Sequence, residues 1–398
     1  MNLRRARVGL ILGLGLLSGC GQTLDLGSNP RAGCEKTPAE PRKLSALSEF
    51  PDFTPSTLVV VGDAAYVGGV SYPGRQFDAN AKDIGRVIRF PLDGSPPKEI
   101  WKGTFFRAPI RVYGSRIAFL ETDFVNVLTF PTFGGIHVYD TKTAKHTMVP
   151  NLPGRDFVTD FELGAEGFVF SSGSFARSIP DGTVLGKPGS SIGRLSETDS
   201  APRSILELTK RSARFFRRGD HVLAQLVADN SESGYDEPES AGTVQAVFAI
   251  SETGLRMEQK FDSFMRPETA AQQNITTTFV GADETSYYFT IRMFAETAPY
   301  RVPRTKAPVN IQENIASTLW GQPLFDGGEL YWTPLADRSM IRRRVLEGDS
   351  AEAKAGVEVS FDPRRQVSAF GVDACQVVWM SESFVDRETY RVMVGPRK

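Results

Sequence analysis

Apolar and polar positions alternate in short runs from residue 57 onward. Thr57–Val61 leads into a Gly62-Asp63 turn, Ala65–Gly69 runs back, and after a polar stretch Arg86–Phe90 leads into Leu92-Asp93-Gly94. Period-two runs bounded by Gly and Asp predict antiparallel strands joined by tight turns. Lys98–Trp101 supplies an outer strand, so Ser56–Gly103 reads as one four-stranded unit.

The same order returns along the rest of the chain. Second strands follow tight turns at Gly114-Ser115, Gly164–Gly167, Gly219-Asp220, Gly281–Glu284, Asp326–Gly328 and Gly371–Asp373. Turns about 45–65 residues apart match the blades of a β-propeller. The fold expected is therefore all-β, a single propeller of seven four-stranded blades. Six or eight blades also fit, because the third and fifth units are irregular. A pair of β-sandwiches is the rival fold, but it leaves the recurrence unexplained. The seventh unit ends one strand short at Tyr390–Val394. A ring closes its edges by taking that strand from the other chain end, and Leu44–Phe50 is the expected donor.

Composition adds limits. The chain has 398 residues, 40% of them apolar, and a formal net charge of −1. That balance gives no field that would draw nucleic acid. Beyond the N-terminus no stretch approaches the roughly 18 apolar residues of a membrane helix, so the body is expected to be soluble. The N-terminus itself has Arg4, Arg5 and Arg7, then an apolar run from Val8 to Leu17, then Leu17-Ser18-Gly19-Cys20. A cationic start, a short apolar core and small residues before a cut make a secretory signal.

Leu17-Ser18-Gly19-Cys20 resembles the lipobox of bacterial lipoproteins. The resemblance covers only these residues. It implies cleavage before Cys20, acylation of the Cys20 thiol with palmitate-type chains, and anchoring to membrane lipid. Gly21, where Asp would favour inner-membrane retention, implies the outer membrane. The expected organisation is a signal peptide at 1–19, a lipidated tether at 20–42 and a propeller at 43–398. The body resembles envelope β-propeller lipoproteins in general, with no signature of a named family. Cys34 and Cys375 remain once Cys20 is lipidated, and an even pair in an exported chain reads as a disulfide. A bridge over so long a loop removes on the order of 4–5 kcal/mol of unfolded-state freedom. It would tie together the same two ends as the closing strand.

Candidate chemistry is sparse. The loops joining second to third strands are long and share one face, which makes that face the expected binding surface. Asp78, Asp83, Asp123, Tyr235, Asp236, Asp337 and Asp386 are its candidate residues. The acidic loop Asp229–Glu239 is the one place for calcium, though it lacks a dedicated Asp-x-Asp-x-Asp-Gly spacing. His137, His146 and His221, the only histidines, are spaced against a zinc set and read as surface or edge residues. Arg342–Arg344 reads as solvated stems with one ion pair, and Lys210–Arg218 as a local basic patch. Trp101, Trp320, Trp332 and Trp379 read as core. No Gly-x-Ser-x-Gly elbow and no Cys poised beside a His provides a nucleophile. The expected role is non-catalytic: an envelope scaffold or binding module for a protein, peptide or glycan. The alternative is a hydrolase or lyase acting on extracellular polysaccharide through paired loop carboxylates.

Overall fold

The computed structural model describes residues 34, 40–47, 50, 52–72, 83–104, 106–123, 132–149, 152, 155, 157–174, 177–178, 184–185, 189–196, 199–208, 211–228, 246–251, 254–260, 276–293, 296–304, 313–314, 319–326, 328–346, 357–361, 364–383 and 390–397. They form seven antiparallel blades in a ring. A first strand, β1 (Arg42–Ala46), precedes blade one, which is β2 (Phe53–Val61), β3 (Ala64–Ser71), β4 (Ile84–Pro91) and β5 (Lys98–Gly103). Blade two is β6 (Phe106–Tyr113), β7 (Arg116–Asp123), β8 (Thr132–Asp140) and β9 (His146–Val149). Blade three begins with β10 (Phe157–Gly164) and β11 (Gly167–Ser174). After the small hairpin of β12 (Arg177–Ser178) and β13 (Val184–Leu185), it continues as β14 (Gly189–Leu195) and β15 (Arg203–Leu208). Blade four is β16 (Arg211–Arg218), β17 (His221–Ala228), β18 (Ala246–Ser251) and β19 (Gly254–Lys260).

Blade five is β20 (Thr276–Ala282), β21 (Ser286–Met293) and β22 (Glu296–Pro303), edged by the two-residue β23 (Glu313–Asn314). Blade six is β24 (Leu319–Asp326), β25 (Glu329–Pro334), β26 (Met340–Val345) and β27 (Val357–Phe361). A pairing of Thr297 with Leu319 joins blades five and six into one continuous sheet. Blade seven is β28 (Gln366–Val372), β29 (Gln376–Glu382) and β30 (Tyr390–Pro396), and β1 completes it.

Closure follows the expectation but with different bounds. The closing strand is Arg42–Ala46 rather than Leu44–Phe50, with Arg42 opposite Val394 and Ala46 opposite Arg391. Leu47 instead leaves the strand and buries in the core between blades seven and one. Cys34 and Cys375 are joined, with their Cα atoms 5.3 Å apart, and clasp the same two chain ends.

The core is a set of seams. Each blade buries both faces against its neighbours, and seven apolar clusters occupy the seven interfaces. One of them sets Leu58, Val67 and Ile88 of blade one against Val378 and Val392 of blade seven, so the ring is shut. Second strands are buried on both sides, as in the uniformly buried β3. Close approach is specified by sequence: a Cβ on Gly68 would stand 2.2 Å from the Phe106 ring of the next blade. Trp101, Trp332 and Trp379 are buried as expected. Arg344 is also buried, so the triple arginine is not wholly solvated.

Candidate functional site

The described residues form a cleft of about 580 Å3 between blades three and four. It opens on the face of the first-to-second turns, the opposite face from the long loops. The β10–β11 turn, residues 164–167, lies against the β16–β17 turn at Asp220-His221. Gly164 permits this, since a Cβ there would press Val222; Gly167 serves its own hairpin, with φ +117° and a Cβ position 2.2 Å from the Leu195 carbonyl oxygen of the same blade. The lining combines Val169, Val222, Ala249 and Ile250 with three arginines, Arg194, Arg218 and Arg256.

Each carboxylate of the cleft has a partner. Glu258 accepts from Arg218 at 2.6 and 3.1 Å and from the Tyr287 hydroxyl at 2.9 Å. Burial alone would raise the Glu258 pKa, but the Arg218 and Tyr287 hydrogen bonds outweigh it and hold the carboxyl below the usual range. Glu166 pairs with Arg194. Asp220 accepts from Tyr113 of blade two at 3.0 Å. The carboxyl set deepest, Glu258, is thus kept ionised, which suits charge recognition and not the work of a general acid.

A second polar cluster crosses the inner strands. Arg111 on β6 reaches Asp160 at 3.2 Å and Glu162 at 3.5 Å on β10. Asp160 also accepts from the Phe215 amide at 2.7 Å, and Arg217 donates to the Val112 carbonyl at 2.7 Å. Burial pushes the Glu162 carboxyl up despite Arg111. This network ties blades two, three and four near the axis. It also removes Arg217 and Arg218 from the basic patch expected from sequence, because both point at neighbours within the fold.

His146, on the outer strand β9, and His221, beside the β16–β17 turn, are exposed as expected, whereas His137 differs. His137 is buried, its Nε2 lies 2.8 Å from Glu121, and its Nδ1 lies 2.9 Å from His146 Nε2. The ionised carboxylate only accepts, so His137 donates from Nε2; while it is neutral its Nδ1 receives the His146 Nε2–H, and once it is protonated it donates from Nδ1 to His146 Nε2 instead. The two rings are 7° from parallel with centroids 5.0 Å apart, meeting nitrogen to nitrogen. Thr104 holds the far oxygen of Glu121 through its amide at 2.8 Å and its hydroxyl at 3.1 Å. Two histidines and a carboxylate thus do meet, as a hydrogen-bonded chain on the rim of blades one and two. Sequence spacing does not reveal it, because Glu121 and His137 meet only diagonally across β7 and β8, Glu121 standing opposite Gly135 and His137 opposite Phe119.

Among the candidates expected on the long-loop face, Asp83 stands just before β4 and Asp123 ends β7. Asp337 is a turn residue whose carboxylate accepts from the Ser339 amide at 3.0 Å. The structure brings none of these three together at the cleft. Asp78, Tyr235, Asp236, Asp386, the Asp229–Glu239 loop and Cys20 lie outside the described residues. The cleft residues Glu166, Arg194, Arg256 and Glu258 do not stand out in the sequence. The signal for β19, which carries the last two, is Leu255-x-Met257 following the Ser251–Gly254 turn.

No protein-family model matches the chain, and no curated protein matches it by sequence. Solved structures match it by shape. The β-propeller domain of the Trilobed protease from Pyrococcus furiosus, described as having an open velcro topology, superposes with TM-score 0.54 at 11% identity, covering 87% of this chain and 96% of that one. The acylaminoacyl peptidase of Pyrococcus horikoshii gives TM-score 0.56 at 11% identity over 89% of this chain, which spans about half of that enzyme (53%). An oligogalacturonate lyase in complex with manganese gives 0.51 at 11% identity, covering 91% of this chain and 94% of the lyase. At such identities the likeness is one of fold, and the fold is the β-propeller. Here the ring is fastened by β1 on β30.

Proposed function

We propose that this chain is an exported lipoprotein, cut before Cys20 and anchored through it to the outer membrane, whose propeller is a non-catalytic binding module. Residues 1–19 are the signal peptide, 20–41 the lipidated tether, fastened to the body at Cys34, and 42–398 the binding body. Its partner is another component of the envelope, a protein, peptide or glycan. The cleft between blades three and four carries this reading. It has the volume of a ligand site, and its carboxylates are engaged by arginine and tyrosine rather than poised for proton transfer. The alternative, a polysaccharide hydrolase or lyase using loop carboxylates, has less support, since Asp337 serves its own turn and the fold by itself carries no activity.

Chemical crosslinking in cells, followed by purification of the full lipoprotein and mass spectrometry, tests the reading. A reproducible envelope partner is the expected result. No partner under several crosslinkers, together with turnover of an acidic polysaccharide by the purified protein, would replace binding with catalysis.

A further inference from the structure

Two donor side chains of the cleft are left open among the described residues. Arg218 is taken by Glu258 and Arg194 by Glu166, while Asp220 is turned toward Tyr113. Arg256 on β19 and His221 at the start of β17 line the same cleft, are exposed, and make no hydrogen bond or ion pair among the described residues. A guanidinium with free donors, beside carboxylates that are already engaged, is a receptor for a carboxylate brought by a ligand. A cationic ligand would have to compete with an arginine or a tyrosine for each of those carboxylates.

The remaining lining decides what carries that carboxylate. Val169, Val222, Ala249 and Ile250 offer aliphatic surface. The Ser251 hydroxyl is already donated to the Gly254 carbonyl at 2.9 Å. Sugar hydroxyls set against such a surface would be desolvated without partners, whereas the apolar side chains of a peptide would gain from it.

Resting on the binding reading above, we propose that the cleft takes an acidic peptide segment of a partner protein. An Asp or Glu carboxylate of the segment docks on Arg256, with His221 beside it, and an adjacent apolar side chain lies along Val169 and Ile250. The ion pair sets specificity and the aliphatic contact adds affinity. Because Arg256 is exposed, added salt weakens binding.

An array of capped hexapeptides alternating Glu with Leu, Val or Ile, alongside counterparts with Gln in place of every Glu, is probed with the purified full-length protein. The Glu peptides are expected to be retained at least about tenfold more tightly than the Gln peptides, the scale of a charge-assisted pair. Arg256→Glu is expected to abolish the difference and Arg256→Lys to keep part of it, with both variants melting as the parent does. Equal retention of both peptide sets, retention of neither, or undiminished retention by Arg256→Glu would overturn the proposal. If neither set is retained while a cellular partner still crosslinks, only the acidic-peptide specificity falls. If no partner is found either, the binding module falls with it.

Discussion

At the scale of single residues, charged groups are held both within a blade and by the next one. Glu258 pairs with Arg218 of its own blade four and accepts from Tyr287 of blade five. Removing the charge with Glu258→Gln leaves the largely buried Arg218 without its carboxylate, which is expected to cost about 2 kcal/mol at neutral pH. Because the folded carboxyl is depressed, its contribution is full above the unfolded value near 4.5 and is lost as pH falls through the lower folded value. Melting curves at pH 7 and below pH 4 check both halves, with the gap between variant and parent closing only in acid. His146 offers the opposite charge type. Burial, then the charge of His137, lowers its pKa below 6.5, against the pull of Glu121. The unfolded chain therefore takes up this proton first, and His146 costs stability as pH drops below 6.5. Ring-proton NMR is expected to show His146 titrating below 6.5, and lower still in Glu121→Gln. Titration at or above that value would contradict the hydrogen-bonded chain. None of these contacts is legible in the sequence. Period-two alternation says that Glu121 and His137 share faces with apolar neighbours, but not which strand positions stand opposite.

At the scale of elements, much is legible. Gly62, Gly114, Gly219 and Gly328 occupy left-handed turns that the Gly-Asp, Gly-Ser and Gly-Gly pairs announce. Runs such as Leu330-Tyr331-Trp332 sit where second strands are expected, because a strand buried on both faces needs unbroken apolar sequence. Outer strands are harder to read. β9 is only four residues, mostly exposed, and β19 has too short an apolar alternation to separate from loop. The apolar pattern sets the start of the closing strand two residues late, because Leu44, Leu47 and Phe50 form an apolar set that straddles its end. They pack together, but only Leu44 does so from within the strand. Deleting residues 42–46 exposes the edge of β30 and is expected to lower the melting temperature sharply and promote self-association. Cys34→Ser is expected to act in the same direction, losing up to about 5 kcal/mol. Light scattering and calorimetry check the pair, and unchanged curves for both would reject the clasp.

At the scale of the whole molecule, the ring order and the closure follow from the repeat, whereas the cleft does not. Loop length points to the face of the second-to-third loops, but a concavity arises where two short turns of adjacent blades draw close. That depends on a small residue, Gly164 against Val222, rather than on loop length. The proposed anchor is a separate matter of the first twenty residues. Cys20→Ser is expected to move the protein from the membrane fraction to the soluble one, and unchanged fractionation would remove lipidation from the account. The binding claim is tested most directly by placing a photocrosslinking amino acid at Ala165, on the cleft rim, and separately at Ala336, on the opposite face, in the full-length protein in cells. An adduct with an envelope partner is expected at Ala165, lost when Arg256→Glu is added, and none is expected at Ala336. Capture at Ala336 alone would contradict it, and would return the binding surface to the long-loop face.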